Sequence, residues 1–333
     1  MFRNILDRQK GLTLIELLVA MALGVVLSGG MVKLFIESRG SYMQDDERAR
    51  LQENARAALR TLSRDLSMAG FFGRYVNAKS NISTALVITG ANDCNATWAL
   101  DIDPHLEYDN NIDGVTSPYS CITAGHMVAD SDVISLKRTL DTPSLFNGDT
   151  SSGFSGTFSD SDHTNRVYLR ATNLGDTLTQ IKGSSVTGAD TTSGSLVDAW
   201  EYLARIYFVR NFSVAGDGIP SLCRVSLQAD TTMEDSSACS VIAEGIENLQ
   251  IEWGIDNDAD QRPDRYTSTP TAAQLSNAVS AKIYVLARSV NTVPGYTNDV
   301  SYQLGTTAVA AANDGFYRKV FGTTVLLRNP FNL

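Results

Sequence analysis

The most demanding chemistry in this sequence belongs to one carboxylate. Glu16 stands inside an apolar run, residues 12–35, where an unpaired charge in hydrocarbon costs on the order of a few kcal/mol. Such a group needs a partner. Just upstream stand Lys10 and Gly11, with Arg3 and Arg8 behind them. At about 1.5 Å per residue the run makes a helix roughly long enough to cross a bilayer. The basic flank would stay in the cytoplasm and the rest of the chain would face outward. A secretory signal peptide fits poorly. No Ala-x-Ala-like site follows the run, and a carboxylate within it is foreign to that class.

Sulfur and oxygen ligands supply the remaining candidates. Cys94, Cys121, Cys223 and Cys239 lie in the part that would be exported, where paired thiols are the rule. Four cysteines allow three pairings; the local one, Cys94–Cys121 with Cys223–Cys239, closes short loops and is the expected arrangement. Asp109, Asn111 and Asp113 alternate and are followed by Gly114, as a calcium loop begins, but Ser120 stands where the bidentate glutamate would be. Asp256, Asp258 and Asp260 repeat the alternation without the glycine. Asp and Asn also populate turns for their own hydrogen-bonding reasons, so calcium is the lesser reading and no cofactor is expected. His105, His126 and His163 are scattered, with no zinc-site spacing. Neither a phosphate loop nor a nucleophile elbow occurs. Placement, not catalysis, is the expected work.

Two helical stretches must position Glu16 and whatever it carries. Within the apolar run Ala20, Gly24 and Ser28 recur every fourth residue, either a face that another helix can approach closely or ordinary membrane-helix composition. Gly29 and Gly30 weaken the helix there, and Lys33 can snorkel to the outer interface. Beyond the membrane, Leu51, Ala55, Ala58, Leu62, Leu66 and Ala69 step by three or four, with Leu59 widening the stripe. Gly70 and Gly73 supply the stop. Arg48, Arg56, Arg60 and Arg64 form a basic ridge on the other side, either solvated with local pairs such as Glu53–Arg56 or facing an acidic neighbour.

The segment Lys10-Gly11-Leu12-Thr13-Leu14-Ile15-Glu16-Leu17-Leu18-Val19-Ala20 resembles the class III leader junction of type IV pilins and type II secretion pseudopilins. The resemblance implies that a prepilin peptidase cuts after Gly11 and methylates Leu12. It also implies that Glu16, then the fifth residue, pairs with the amine of a neighbouring subunit. Leu12 stands where most members have phenylalanine.

Past Phe72 the periodicity becomes that of strands. Residues 86–88, 133–136 and 166–170 are short candidates, and 201–210 is the longest apolar run of the head and a central strand. Residues 222–227 would pair with it across Gly216-Asp217-Gly218. Leu249, Ile251, Trp253 and Ile255 alternate strictly, as do Ile283, Val285 and Ala287 after a short helix at 271–278. Residues 320–327 close the set. The polar segments 141–165 and 182–194 read as surface insertions or mobile loops.

The chain has 333 residues and formal charge −10; loss of Arg3, Arg8 and Lys10 against Asp7 would make it −12. An acidic head repels nucleic acid and anionic lipid surfaces. Residues 245–256 (Gly245 to Asp256) and Leu326-Leu327-Arg328-Asn329 resemble PilW-type minor pilins, as do Leu51-Gln52-Glu53-Asn54-Ala55-Arg56 and Asp65-Leu66-Ser67-Met68-Ala69-Gly70. That family is similar to the J-type minor pseudopilins.

The resemblance implies an α+β type IV pilin fold, a long N-terminal helix packed on an antiparallel-sheet head with long loop insertions. Its expected divisions are a leader (1–11), an assembly helix (12–36), an amphipathic continuation (37–70) and a head (71–333). The implied partners are other minor pilins, a PilY1-type tip protein, the major pilin, the prepilin peptidase and the inner-membrane assembly platform. The implied role is a low-abundance subunit that primes assembly at the inner membrane, its head in the periplasm, and ends at the pilus tip, supporting twitching, adhesion or DNA uptake. The alternatives are a J-type subunit of a secretion piston and a tip-located ligand-binding subunit.

Overall fold

The computed structural model describes residues 11, 13–73, 82–84, 86, 94, 98–150, 161–172, 178–228 and 232–329. Residues 1–10, where the leader is expected, Leu12 and positions 87 and 88 lie outside the described residues. The α-helices among the described residues are α1 (Leu14–Ser67), α2 (Ser161–Thr164) and α3 (Ala272–Leu275). In chain order the first strands are β1 (Ile82–Thr84), β2 (Leu106–Asp109), β3 (Val133–Thr139), β4 (Leu145–Phe146), β5 (Asp149–Thr150) and β6 (Val167–Thr172). Then come β7 (Leu178–Lys182), β8 (Val197–Arg210), β9 (Ser221–Ser226), β10 (Ser240–Glu244) and β11 (Ile246–Ile255). The last are β12 (Arg265–Thr267), β13 (Ala278–Arg288), β14 (Tyr302–Leu304), β15 (Thr307–Val309) and β16 (Arg318–Leu326).

The chain divides into two compact units, 1–49 and 50–333. The first contains the beginning of α1. Its apolar side chains, among them Leu14, Ile15, Leu18, Val25, Leu27, Val32 and Ile36, are exposed. The helix has a stretch long and apolar enough to cross a membrane.

The second unit is built around β8. A ten-stranded sheet has the order β1-β7-β6-β8-β3-β2, with β4 and β9 also pairing β8 and carrying β5 and β10. Its pairings are antiparallel apart from β1 with β7. The second sheet runs β12-β11-β13-β16, antiparallel throughout. β14 and β15 form a separate hairpin. The α+β architecture is the expected one, with central β8 and the β8–β9 pairing in place.

Periodicity explains the two cores. Residues along β8 alternate in direction, so Tyr207 and Val209 join one apolar cluster while Ile206 and Phe208 join another. In the first cluster the helical stripe Leu51, Ala55, Ala58, Leu62, Leu66 and Ala69 packs on Leu136, Tyr207 and Leu222 of the large sheet. It packs also on Ile251, Trp253 and Ile283 of the second sheet. The alanines let the backbones approach, and each buried leucine or isoleucine stabilises by roughly 1.5–3 kcal/mol. The second cluster holds Trp98, Ile122, Leu169 and Val225 over the sheet's other face.

Several expectations need correction. The stretch 182–194 is not a bare loop: β7 ends in it, Gly183–Ser185 forms a 3-10 turn, and Asp190 accepts hydrogen bonds from the Thr187 amide and hydroxyl (2.9 Å each). Within 141–165 stand β4, β5 and α2; residues 151–160 lie outside the described residues. Leu86 is not in a strand; the extended residues there are 82–84. The alternating strand β11 is buried on both faces, and the amide of Gln250, on its polar side, bonds Asn111 (2.9 Å), the Asp130 carbonyl (2.9 Å) and Thr307 (2.8 Å). The short helix is confined to Ala272–Leu275, capped by a reciprocal Thr271–Gln274 box. On the basic ridge Arg48 pairs with Asp45 (4.0 Å) and Arg64 with Asp141 (3.7 Å), whereas Glu53 and Arg56 form no ion pair with each other.

Candidate assembly site

The start of α1 is closed by its own side chains. Thr13 precedes the first helical residue, and the Glu16 amide donates to its hydroxyl at 3.3 Å. In return the Thr13 amide and hydroxyl both donate to Glu16 Oε2 at 2.9 Å. This is a capping box, which satisfies orphan donors of the first helical turn. One carboxylate oxygen takes both bonds, and Oε1 of this exposed residue accepts none among the described residues. Thr13-x-x-Glu16 is a visible signature of such a box, and reading Glu16 only as a buried charge overlooked it. Gly11 is exposed, two residues ahead of the cap.

In the second unit a buried ionic cluster pins the helix to the sheet. Asp65, 2% exposed, lies at the margin of the apolar stripe. Its Oδ1 accepts from Arg138 of β3 at 2.8 Å, and its Oδ2 accepts from Arg205 of β8 at 2.7 Å and from the Tyr207 hydroxyl. Burial pushes this carboxyl up, but the Arg205 and Arg138 charges and the Tyr207 bond hold it below its ordinary value. Burial and Asp65's charge raise the Tyr207 hydroxyl. Asp65 stands within a family-like stretch, yet its partners lie far along the chain, and nothing local announces them.

A second buried carboxylate stitches the two sheets together. Asp132 accepts from the Tyr108 hydroxyl (2.6 Å), the Asn111 amide (3.0 Å) and the Ile251 amide of β11 (2.7 Å). No cation is among these donors, and burial pushes the carboxyl up to about 6. His105 packs edge-on to Phe72 and fills the space a Cβ on Gly70 would need. Gly70 has φ +74°, the left-handed conformation that ends the helical run. Burial keeps His105 neutral, its value lowered to about 4.

The remaining candidates hold structure. Cys94 is joined to Cys121 and Cys223 to Cys239. His126 bonds the Ser236 hydroxyl (3.0 Å) and His163 the Tyr168 hydroxyl (2.8 Å). Of the calcium candidates, Asp113 accepts from the Val115 (2.8 Å) and Thr116 (2.6 Å) amides, and Asn111 bonds Gln250. Burial and nearby Glu107 raise Asp109. Asp256, Asp258 and Asp260 do converge, with ligand oxygens within 4.8 Å of one another. Asp256, however, already accepts from the Asp258 (3.2 Å), Ala259 (2.7 Å) and Gln261 (2.8 Å) amides. The loop is shaped by these turns.

Comparison with known proteins follows the same division. The family described as type IV pilus-assembly protein W matches residues 206–329, which run from β8 through β16. The prokaryotic N-terminal methylation motif matches residues 6–32, around Gly11 and Glu16. Among solved structures, the type IV-like pilin TTHA1219 from Thermus thermophilus is similar at 12% identity and TM-score 0.33, over 84% of this chain and 98% of that one. No curated protein matches the chain.

Proposed function

We propose that this chain, which belongs with the PilW-type minor pilins by its head and methylation-motif matches, is an assembly subunit whose work is placement rather than turnover. The observation that carries the reading is the register of Gly11, Thr13 and Glu16 within a methylation motif at the head of an exposed apolar helix. A prepilin peptidase would cut after Gly11 and methylate Leu12. The helix would wait in the inner membrane, with Glu16 held by Thr13.

Docking would bring a neighbouring subunit's terminal ammonium to the free Oε1. That pairing offsets two charges that are each costly alone in an apolar surrounding. The head, held to its helix by Asp65, would then select neighbours in a priming complex that ends at the pilus tip, with other minor pilins and a PilY1-type protein. The calcium candidates would stay without a cation.

Glu16→Ala tests the pairing. The variant should insert and be processed, yet fail to co-purify with other minor pilins and be absent from sheared pili. Wild-type recovery in both assays would refute the pairing.

A further inference from the structure

One face of the large sheet carries a cleft that the reading above leaves unused. Antiparallel register sets Arg205 beside Ser226, Tyr207 beside Arg224, and Arg224 beside Ser240. Side chains two residues apart share a face, so Glu201, Leu203 and Arg205 stand on the side of the sheet from which Asp65 bonds Arg205. With Arg166 they line a cleft of about 320 Å³ that also includes Leu227 and Gln228.

Three donors in the cleft have no hydrogen-bond partner among the described residues. Arg205 spends one terminal nitrogen on Asp65, while its Nε is buried without a partner. The Arg224 side chain forms no hydrogen bond with any described residue, its Nε is likewise buried and unsatisfied, and its charge acts on nearby Glu234 without a direct bond. The Ser226 hydroxyl is a third such group. Leaving a buried polar group unpaired is costly. The available carboxylates are engaged: Glu201 by Arg166 at 2.7 Å, and Glu234 by the Ser226 amide (3.1 Å) and Gln228.

We propose that this cleft, with Arg224, Arg205 and Ser226 as its donors, receives a carboxylate-bearing segment of a neighbouring subunit's head. An arginine fork matches a carboxylate's two oxygens. The volume is at the lower end of ligand-sized clefts, about 300–1,000 Å³, and suits one or two side chains. A chain of charge −10 repels an extended polyanion such as nucleic acid, whereas a short acidic segment need meet only the Arg224, Arg205 and Ser226 donors. The proposal deepens the assembly reading by naming the partner's chemistry, and its test is separate from that of Glu16.

The experiment measures binding of a fluorescent Asp-Glu-Asp-Glu-Asp-Glu peptide to the full chain in detergent, beside an Asn-Gln-Asn-Gln-Asn-Gln peptide. The acidic peptide should bind and the amide peptide should not. Arg224→Gln should weaken binding at least tenfold. Glu201→Gln, which removes a negative charge from the cleft wall, should tighten it several-fold, a gain that misfolding does not produce. Equal binding of the two peptides, no binding of the acidic one, or unchanged affinity in either variant would overturn the proposal. Failure here leaves the co-purification result for Glu16→Ala standing, and the converse holds too.

Discussion

Replacing Asp65 by alanine should loosen the hold of α1 on its sheet more than any other single change on that helix face. The carboxylate is 3% exposed at its side chain and Arg138 4%. Removing one partner of such a pair leaves a buried charge uncompensated, at about 3–5 kcal/mol. Arg205, 17% exposed, can turn partly to water; Arg138 cannot. At roughly 2–4 °C per kcal/mol for a large domain, the melting temperature should fall by about 6–20 °C. The assay is thermal unfolding of the full chain in detergent, followed by tryptophan fluorescence at pH 7. Asp65→Asn should lose nearly as much, because an amide cannot neutralise Arg138. The carboxyl is held below its ordinary value, so its contribution is present above about pH 4 and lost as pH falls through the folded value. A loss under about 2 °C in Asp65→Ala would refute the claim that this cluster anchors the helix.

Other consequences concern the head alone. Non-reducing peptide mapping should recover Cys94 with Cys121 and Cys223 with Cys239, and reduction of either should cost about 3 kcal/mol; a crossed pair would contradict the loop placement. Asp132, raised to about 6, gives stability that is full below about pH 4 and lost as pH rises through 6. His105, lowered to about 4, gives stability present above about pH 6.5 and lost as pH falls toward 4. The two slopes oppose, so His105→Gln should unmask a rise in stability from pH 6.5 down to about 4 in denaturant titrations; a flat profile would contradict the Asp132 assignment. Because amide donors already occupy Asp256, millimolar calcium or a chelator should leave the melting temperature unchanged within about 1 °C; a calcium-dependent rise would show that the loop takes the ion.

What the sequence made legible was whatever repeats. The stripe from Leu51 to Ala69 has the helical period and lies in the core as a stripe should. The run around Tyr207 has the length and apolar density of a strand buried on both faces, and β8 is that strand. Features built from single residues far apart left no such trace. An aspartate at position 65 looks like any polar residue at the edge of an amphipathic helix, until Arg138 and Arg205 arrive from two strands. Asn248 and Gln250 interleave with the alternating apolar residues of β11, yet both are buried because other segments cover them and meet their hydrogen-bonding groups. The 182–194 segment looked structureless by composition. Its order comes from Asp190, which also bonds Arg170 of β6. Thr13 and Glu16 are the instructive case. Their box is readable at a spacing of three residues, although the charge of Glu16 is the more conspicuous feature.

The central claim is that the chain is placed by a processed N-terminus followed at fixed distance by Glu16. Mass spectrometry of the protein from cells holding an active prepilin peptidase tests it most directly. The account predicts a chain beginning at Leu12 with a methylated α-amine, leaving Thr13 and Glu16 as its second and fifth residues. A terminus beyond residue 28, as an ordinary signal peptidase would leave, would remove Glu16 from the mature protein and contradict the account.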